Sequence, residues 1–362
     1  MDRRAFLKSS SASAAVIAAL PWHGALAAPA KGWRRYEITT QVEIVEPRGV
    51  SRAWIPLPAV DNTDWHQSLG NAWTGNAQRM EILNDGKYGV AMLYAEWPAG
   101  VPNPRVMVTS RVRTRERTID PLQRASGIDL PAADRAFYTM PTEMIPTDGI
   151  VRKTSLDITR GAKTDVEKAR AIYEWIVENT FRDPKVRGCG WGDIKGMLET
   201  GNLGGKCGDL NALFVGLARA AGVPARDVYG LRVAPSEYGY KSLGAGTENV
   251  TKAQHCRAEF FARGVGWVPV DPADVRKVAL EEPPGNLPLS HPKVQAARRR
   301  LFGNWEMNWL AYNTGHDIML PHSGAPRLPY LMYVNAQSGG EMRDQLDPDS
   351  VRYSITAWDL GA

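Results

Sequence analysis

An α+β chain is what this sequence predicts, with a β-sandwich first and a helix-and-hairpin core after it. Three observations carry that expectation. Apolar and polar residues alternate with period two over residues 33–117, as they do in half-buried strands. A run opening at Cys207 switches to helical spacing, with Leu210, Leu213, Phe214, Leu217 and Ala221 on one face. Two strand-like runs follow, one carrying His255 and the other ending at Asp271.

A length of 362 residues leaves room for two or three domains, each with a core. With 43% hydrophobic and 23% charged residues the composition is that of a globular protein, which argues against disorder. Residues 1–27 read as an export signal. Arg3-Arg4-Ala5-Phe6-Leu7-Lys8 resembles the twin-arginine motif, a modest apolar stretch runs from Ser9 to Leu20, and Ala25-Leu26-Ala27 offers a small-residue cleavage site. Asp2 stands where such signals more often carry Ser or Thr. The apolar stretch is too short for a spanning helix, so the expectation is a protein exported through the twin-arginine machinery and soluble in the periplasm after cleavage. Formal charge is +5, and losing Arg3, Arg4 and Lys8 against Asp2 leaves +3. So small and scattered an excess argues against a nucleic-acid partner.

Within residues 33–117, the β-sandwich, Tyr36, Ile38, Val42 and Ile44 share one parity, and Val106, Val108 and Val112 repeat it. Asn84-Asp85-Gly86-Lys87 is a turn signal. Trp54-Ile55-Pro56-Leu57-Pro58 suggests an edge strand or a strand's exit, because proline has no N–H for a ladder. His66 falls among Asp61, Asp64 and Gln67 and is expected on the surface. Residues 118–164 form a Pro-rich connector. Thr164-Asp165-Val166-Glu167 is a capping box opening a helix whose apolar face is Val166, Ala169, Ile172, Tyr173 and Ile176. A Gly-rich loop, residues 181–205, holds Cys189 and Trp191. The core is expected over residues 165–277, and residues 278–362 close it or add a small β extension. There, residues 291–302 read as a helix with Arg298-Arg299-Arg300 on a solvated face, and residues 328–335 and 351–358 read as strands. His316 and His322 have no partner pattern.

Gly204-Gly205-Lys206-Cys207-Gly208-Asp209 sets a cysteine at a helix N-terminus, where free N–H groups and the macrodipole favour a thiolate. Gly222-Val223-Pro224 ends that helix. The runs around His255 and Asp271 are joined by a turn at Arg263-Gly264-Val265-Gly266, so an antiparallel hairpin is expected. An odd loop puts His255 and Asp271 on one face; a two-residue loop separates them. Cys, His and Asp in that order are a nucleophile, a base and an orienting acid. A P-loop is excluded, since Thr200 stands where its first glycine belongs and Cys207 where Ser or Thr belongs. Zinc on Cys189, Cys207, His255 and Cys256 is disfavoured, because no C-x-x-C pair exists and adjacent His255 and Cys256 leave a strand on opposite sides. By the same parity Cys256 is expected to face away from the nucleophile, free to pair with Cys189 as an exported disulfide.

Four segments carry a family resemblance: Gly205-Lys206-Cys207-Gly208-Asp209, Arg219-Ala220-Ala221-Gly222-Val223-Pro224-Ala225-Arg226, His255-Cys256-Arg257-Ala258-Glu259-Phe260, and Gly266-Trp267-Val268-Pro269-Val270-Asp271-Pro272. On these segments the chain resembles, over about residues 165–275, a bacterial member of the transglutaminase-like superfamily, a papain-related group of cysteine enzymes. The resemblance implies a helix carrying the cysteine packed on an antiparallel sheet carrying the histidine and aspartate. It matches Cys207 to the family nucleophile, His255 to its base and Asp271 to the third member.

The expected activity is therefore amide-bond chemistry through a thioester, on a peptide or protein substrate or on cell-envelope material, with no metal or organic cofactor required. Peptide hydrolysis is favoured over transamidation, because nothing in the sequence identifies a dry second site for an amine. A catalytically silent peptide- or glycan-binding module is the reading from another class. The Cys207 N–H is expected to supply one oxyanion donor. Asn202 and Trp191 are the candidates for the second.

Overall fold

The computed structural model describes residues 32–58 and 63–362; the expected export signal lies outside them. The chain is mixed α and β, with antiparallel sheets at its N-terminal side and a helix-on-sheet core after them.

Two sheets form the N-terminal part. One runs in the order Val351–Gly361, Arg34–Ile44, Arg105–Thr114, His66–Gly75, and the other Glu341–Met342, Asn335–Ser338, Ser51–Pro56, Ala91–Trp97, Arg79–Asn84. Their inner faces are the alternating residues of the sequence: Val42, Ile44, Val106 and Val108 meet Ala53, Ile55, Leu93 and Trp97 in one apolar cluster. Ser51–Pro56 is an interior strand, with Pro56 as its last residue. Its neighbour Asn335–Ser338 pairs only as far as Trp54, so Pro56 interrupts no ladder bond there. The turn after Asn84 is held by Asp85, whose carboxylate accepts from the N–H groups of Tyr88 and Val90 at 3.1 and 2.8 Å.

The end of the chain returns to this first part. Val351–Gly361 pairs with Arg34–Ile44 along nearly its whole length, and Asn335–Ser338 pairs with Ser51–Pro56. Residues 328–334, expected as a strand, form none; the strand begins at Asn335. His66 is buried in the strand His66–Gly75 rather than in a surface loop. Asp64 and Gln67 made the segment look solvated, yet Trp65 packs on Trp305 and Trp309 from the other part and brings its neighbour inward. His316 is buried too, beside Tyr229.

The second part is a four-stranded antiparallel sheet, ordered Gly266–Val270, Gln254–Ala262, Ala225–Arg232, Trp309–Asn313, covered by helices. The helix Asp165–Asn179 opens with the expected capping box between Thr164 and Glu167, both halves present, and buries the expected face. Two helices lie within residues 118–164, Ala132–Thr139 and Gly149–Ile158. The second packs on the helix Cys207–Ala220, where the Ser155 hydroxyl donates to the Leu217 carbonyl at 2.6 Å. Residues 292–300 are helical, but the triple arginine is not all solvent-facing, because Arg298 is clamped between Glu174 and Glu178.

Candidate active site

Cys207 is the first residue of its helix. The start is fixed from both directions. Asp209 reaches back to accept from the Lys206 N–H at 2.9 Å, and its other oxygen accepts from the Gly192 N–H at 3.0 Å. The Gly-rich loop is thereby tied onto the helix mouth, with the Gly208 N–H donating to the Cys189 carbonyl at 2.8 Å. Glycine is required at 208 because a Cβ there would stand 2.7 Å from that carbonyl oxygen. The far end closes with Gly222 in the left-handed region; the Val223 N–H bonds the Ala218 carbonyl and the Gly222 N–H bonds the Arg219 carbonyl, a Schellman motif.

The hairpin loop has three residues, since Ala262 pairs with Gly266. An odd loop keeps His255 and Asp271 on one face, and extending the register sets Asp271 opposite Arg257, one diagonal step from His255. The step is closed by a hydrogen bond of 2.7 Å between His255 Nε2 and Asp271 Oδ2. Asp271 also caps the next helix, Pro272–Glu281, by accepting from the Asp274 N–H at 3.0 Å, and its Oδ1 lies 3.3 Å from the Asn211 amide. Asn211 sits one turn along the cysteine helix and donates to the Cys256 carbonyl at 2.8 Å, which ties that helix to the histidine strand. The backbone carbonyl of His255 is held by the Trp309 indole at 3.1 Å.

A second carboxylate stands behind the first. Asp274 Oδ2 lies 3.4 Å from His255 Nε2, and Arg232 grips Asp274 with contacts of 2.6 and 2.7 Å. Burial and Arg232 both disfavour a charged imidazole, but Asp274 and Asp271 outweigh them and raise His255 to about 9. Asp274 itself is held well below the usual carboxylate range, where Arg232 and then His255 overcome the cost of burial. The Cys207 thiol is likewise held well below its usual range. The neighbouring Cys189 and Cys256 thiols contribute most, burial opposes them, and the His255 imidazole adds to the lowering. A thiolate beside an imidazolium is the state this field favours.

The structure brings together Cys207, His255 and Asp271, and sets the first two on the wall of a 640 Å³ cleft. It does not bring Asn202 or Trp191 to that wall. Asn202 is exposed, with its side-chain oxygen accepting from the Gly204 N–H, and Trp191 is exposed as well. The wall instead carries Gln254, whose Nε2 is buried and without a hydrogen-bond partner among the described residues. Asp274, Arg232 and Gln254 were not singled out from the sequence. The available signal was Asp271-Pro272 as a helix start, which makes Asp274 its N3 residue.

The three cysteines are free thiols. Cys256 does not face away: its sulfur and those of Cys189 and Cys207 all lie within 4.8 Å of one another. The parity argument fails because His255 and Cys256 are the second and third residues of their strand. The helix begins at that strand end, so both neighbours approach its first residue.

Residues 152–272, which contain all three site residues, match the Transglutaminase-like superfamily. An uncharacterized protein of Haemophilus influenzae is 36% identical over 341 residues, covering 89% of this chain and 90% of that protein. Among solved structures, one of a Cytophaga hutchinsonii protein, provisionally named a cysteine protease, is similar with a TM-score of 0.55 at 14% identity, covering 91% of this chain and 92% of that one. At that identity the likeness is one of fold. With the cysteine helix, the histidine hairpin and the family match all in hand, residues 152–272 are a domain of the transglutaminase-like superfamily.

Proposed function

We propose that this protein is an exported, periplasmic cysteine enzyme that hydrolyses amide bonds in peptides, with Cys207 as nucleophile, His255 as acid and base, and Asp271 as the group that orients the imidazole. The observation that carries the reading is a cysteine at a helix mouth sharing the wall of an open cleft with an imidazole whose Nε2 is 2.7 Å from a buried carboxylate, a setting that lowers the thiol's pKa.

In the proposed sequence the Cys207 sulfur attacks the amide carbonyl carbon, and the carbonyl oxygen becomes an oxyanion. The Cys207 N–H at the helix start and the Gln254 Nε2 receive that charge, each donor supplying roughly 3 kcal/mol in sites of this kind. The C–N bond breaks, the amine leaves with the proton from His255, and a thioester remains. Water then attacks the thioester, gives a proton to His255 and releases the acid and the thiolate. Asp271 keeps Nε2 engaged, so the other ring nitrogen serves the sulfur.

The cleft also supports a substrate class. Arg182, Arg187, Lys206, Lys252 and Lys277 line it, and no carboxylate does among the described residues. Arg182 and Lys277 share Glu281 and Arg187 meets Asp344, whereas Lys206 and Lys252 have no ion pair among the described residues. Such a wall attracts acidic peptides and opposes a protonated amine, which favours hydrolysis over transfer to a lysine. The test is cleavage of acidic peptides and cell-wall fragments, followed by mass spectrometry, in wild type and Cys207→Ala. Product with the wild type and none with a folded variant supports the proposal. Equal product from both ends it.

A further inference from the structure

The gathering of all three cysteines is not required by a cysteine–histidine pair. Hydrolysis uses one sulfur, and a papain-like arrangement needs neither Cys189 nor Cys256. Yet the three come from separate places, the Gly-rich loop, the helix mouth and the histidine strand, and converge to within 4.8 Å. A fourth sulfur stands behind them, with Met332 Sδ 3.9 Å from Cys256 Sγ. Metal–sulfur bonds of about 2.3 Å in a trigonal site set the sulfurs about 4 Å apart, so closing this cluster on an ion needs movements under about 1 Å. Cys189 and Cys207 line the cleft, which gives an ion its way in.

The donor set is all thiol and thioether, which selects soft ions and excludes hard cations such as magnesium or calcium. The other close cluster, His255 with Asp271 and Asp274, is different. Its Asp274 is already gripped by Arg232, and its imidazole nitrogen is committed to Asp271.

We propose that Cys189, Cys207 and Cys256 form a binding site for a soft monovalent ion, copper(I), with the Met332 thioether in support, and that an ion held there takes the nucleophile out of use. Binding replaces the S–H bonds of Cys189 and Cys256 with metal–sulfur bonds, so up to two protons leave and affinity rises with pH. No electron is transferred. The site is an inhibitory switch rather than a cofactor site, and it stands on the sulfur positions whether or not the protein hydrolyses peptides.

The test is an anaerobic titration of the reduced protein with copper(I) against a coloured copper(I) chelator. The wild type should withdraw one equivalent, release protons, and become resistant to iodoacetamide at Cys207. Cys189→Ala and Cys256→Ala should each weaken retention tenfold or more, and Met332→Leu should weaken it less. Zinc(II) taken up in preference to copper(I) would overturn the assignment of the ion. No retention by the wild type would overturn the site itself, without needing any variant to fold. Loss of thiols with no bound copper would overturn it as well, because that is oxidation to a disulfide. Peptide cleavage plays no part in these readings, so failure of the hydrolase proposal is seen separately.

Discussion

His255 sets the alkaline limit of the proposed reaction. Its positive form is favoured by Asp274 and Asp271 against burial and Arg232, and it holds its proton up to about pH 9. The leaving amine needs that proton, so activity falls as pH rises through about 9. On the other side activity falls when Cys207 takes a proton, below the ordinary thiol range. Asp271→Asn removes one of the two charges raising the imidazole. Its pH–rate profile should show the alkaline limb at lower pH, with kcat reduced about 100-fold or more from loss of orientation. An unmoved limb would separate Asp271 from His255. Gln254→Ala should lower kcat by about 100-fold with KM little changed, as for loss of an oxyanion donor; a change confined to KM would make it a binding residue. Cys207, His255 and Asp271 were legible because each sits in a local pattern, a helix mouth or a hairpin whose parity can be counted. Arg232, Gln254 and the approach of Cys189 to Cys256 were not. Arg232 ends the next strand of the sheet, and only tertiary packing brings it to Asp274.

At the scale of elements, the cysteine helix depends on its ends. The Gly222 stop and the Thr164 capping box were readable because capping chemistry is local. What the sequence did not disclose is that the Gly-rich loop serves as the other half of the helix mouth, through Asp209 and Gly208. Gly208→Ala should push the Cys189 carbonyl away, since its new Cβ would meet that oxygen at 2.7 Å. The expected result is a folded protein, by circular dichroism, with strongly reduced alkylation at Cys207. Unchanged alkylation would mean that the loop does not position the sulfur. Thr164→Ala, remote from the site, should cost about 1 kcal/mol in denaturant unfolding and leave activity unaltered.

Across the whole molecule, the last strands pair with the first, so the sandwich is completed by strands that follow the core in sequence. The period-two pattern shows that residues 351–358 form a strand but not which sheet they join, because pairing across some 300 residues leaves no local mark. His66 lies at the contact between the two parts and was misread for the same reason: its polar neighbours are local, and the Trp305 and Trp309 cluster is not. Neither ring nitrogen has a partner among the described residues, and burial lowers its pKa to about 4. Its unfolded form binds a proton near pH 6.5, so the folded state gains nothing from that proton until about pH 4. Stability from this group is complete above 6.5 and is lost as pH falls toward 4, by on the order of 3 kcal/mol. His66→Phe should flatten the loss of thermal stability over that window; an identical slope in the variant would assign the acid sensitivity elsewhere.

The proposed chemistry requires Cys207 to rest as a thiolate because of where it sits. The direct measurement is the rate of iodoacetamide alkylation at Cys207 against pH, located by peptide mapping, in wild type and His255→Ala. Fast alkylation persisting into mildly acidic solution, with the midpoint moving up toward the ordinary thiol range in the variant, is the predicted result. A wild-type rate that rises only near pH 8.5, as for a free thiol, would contradict it.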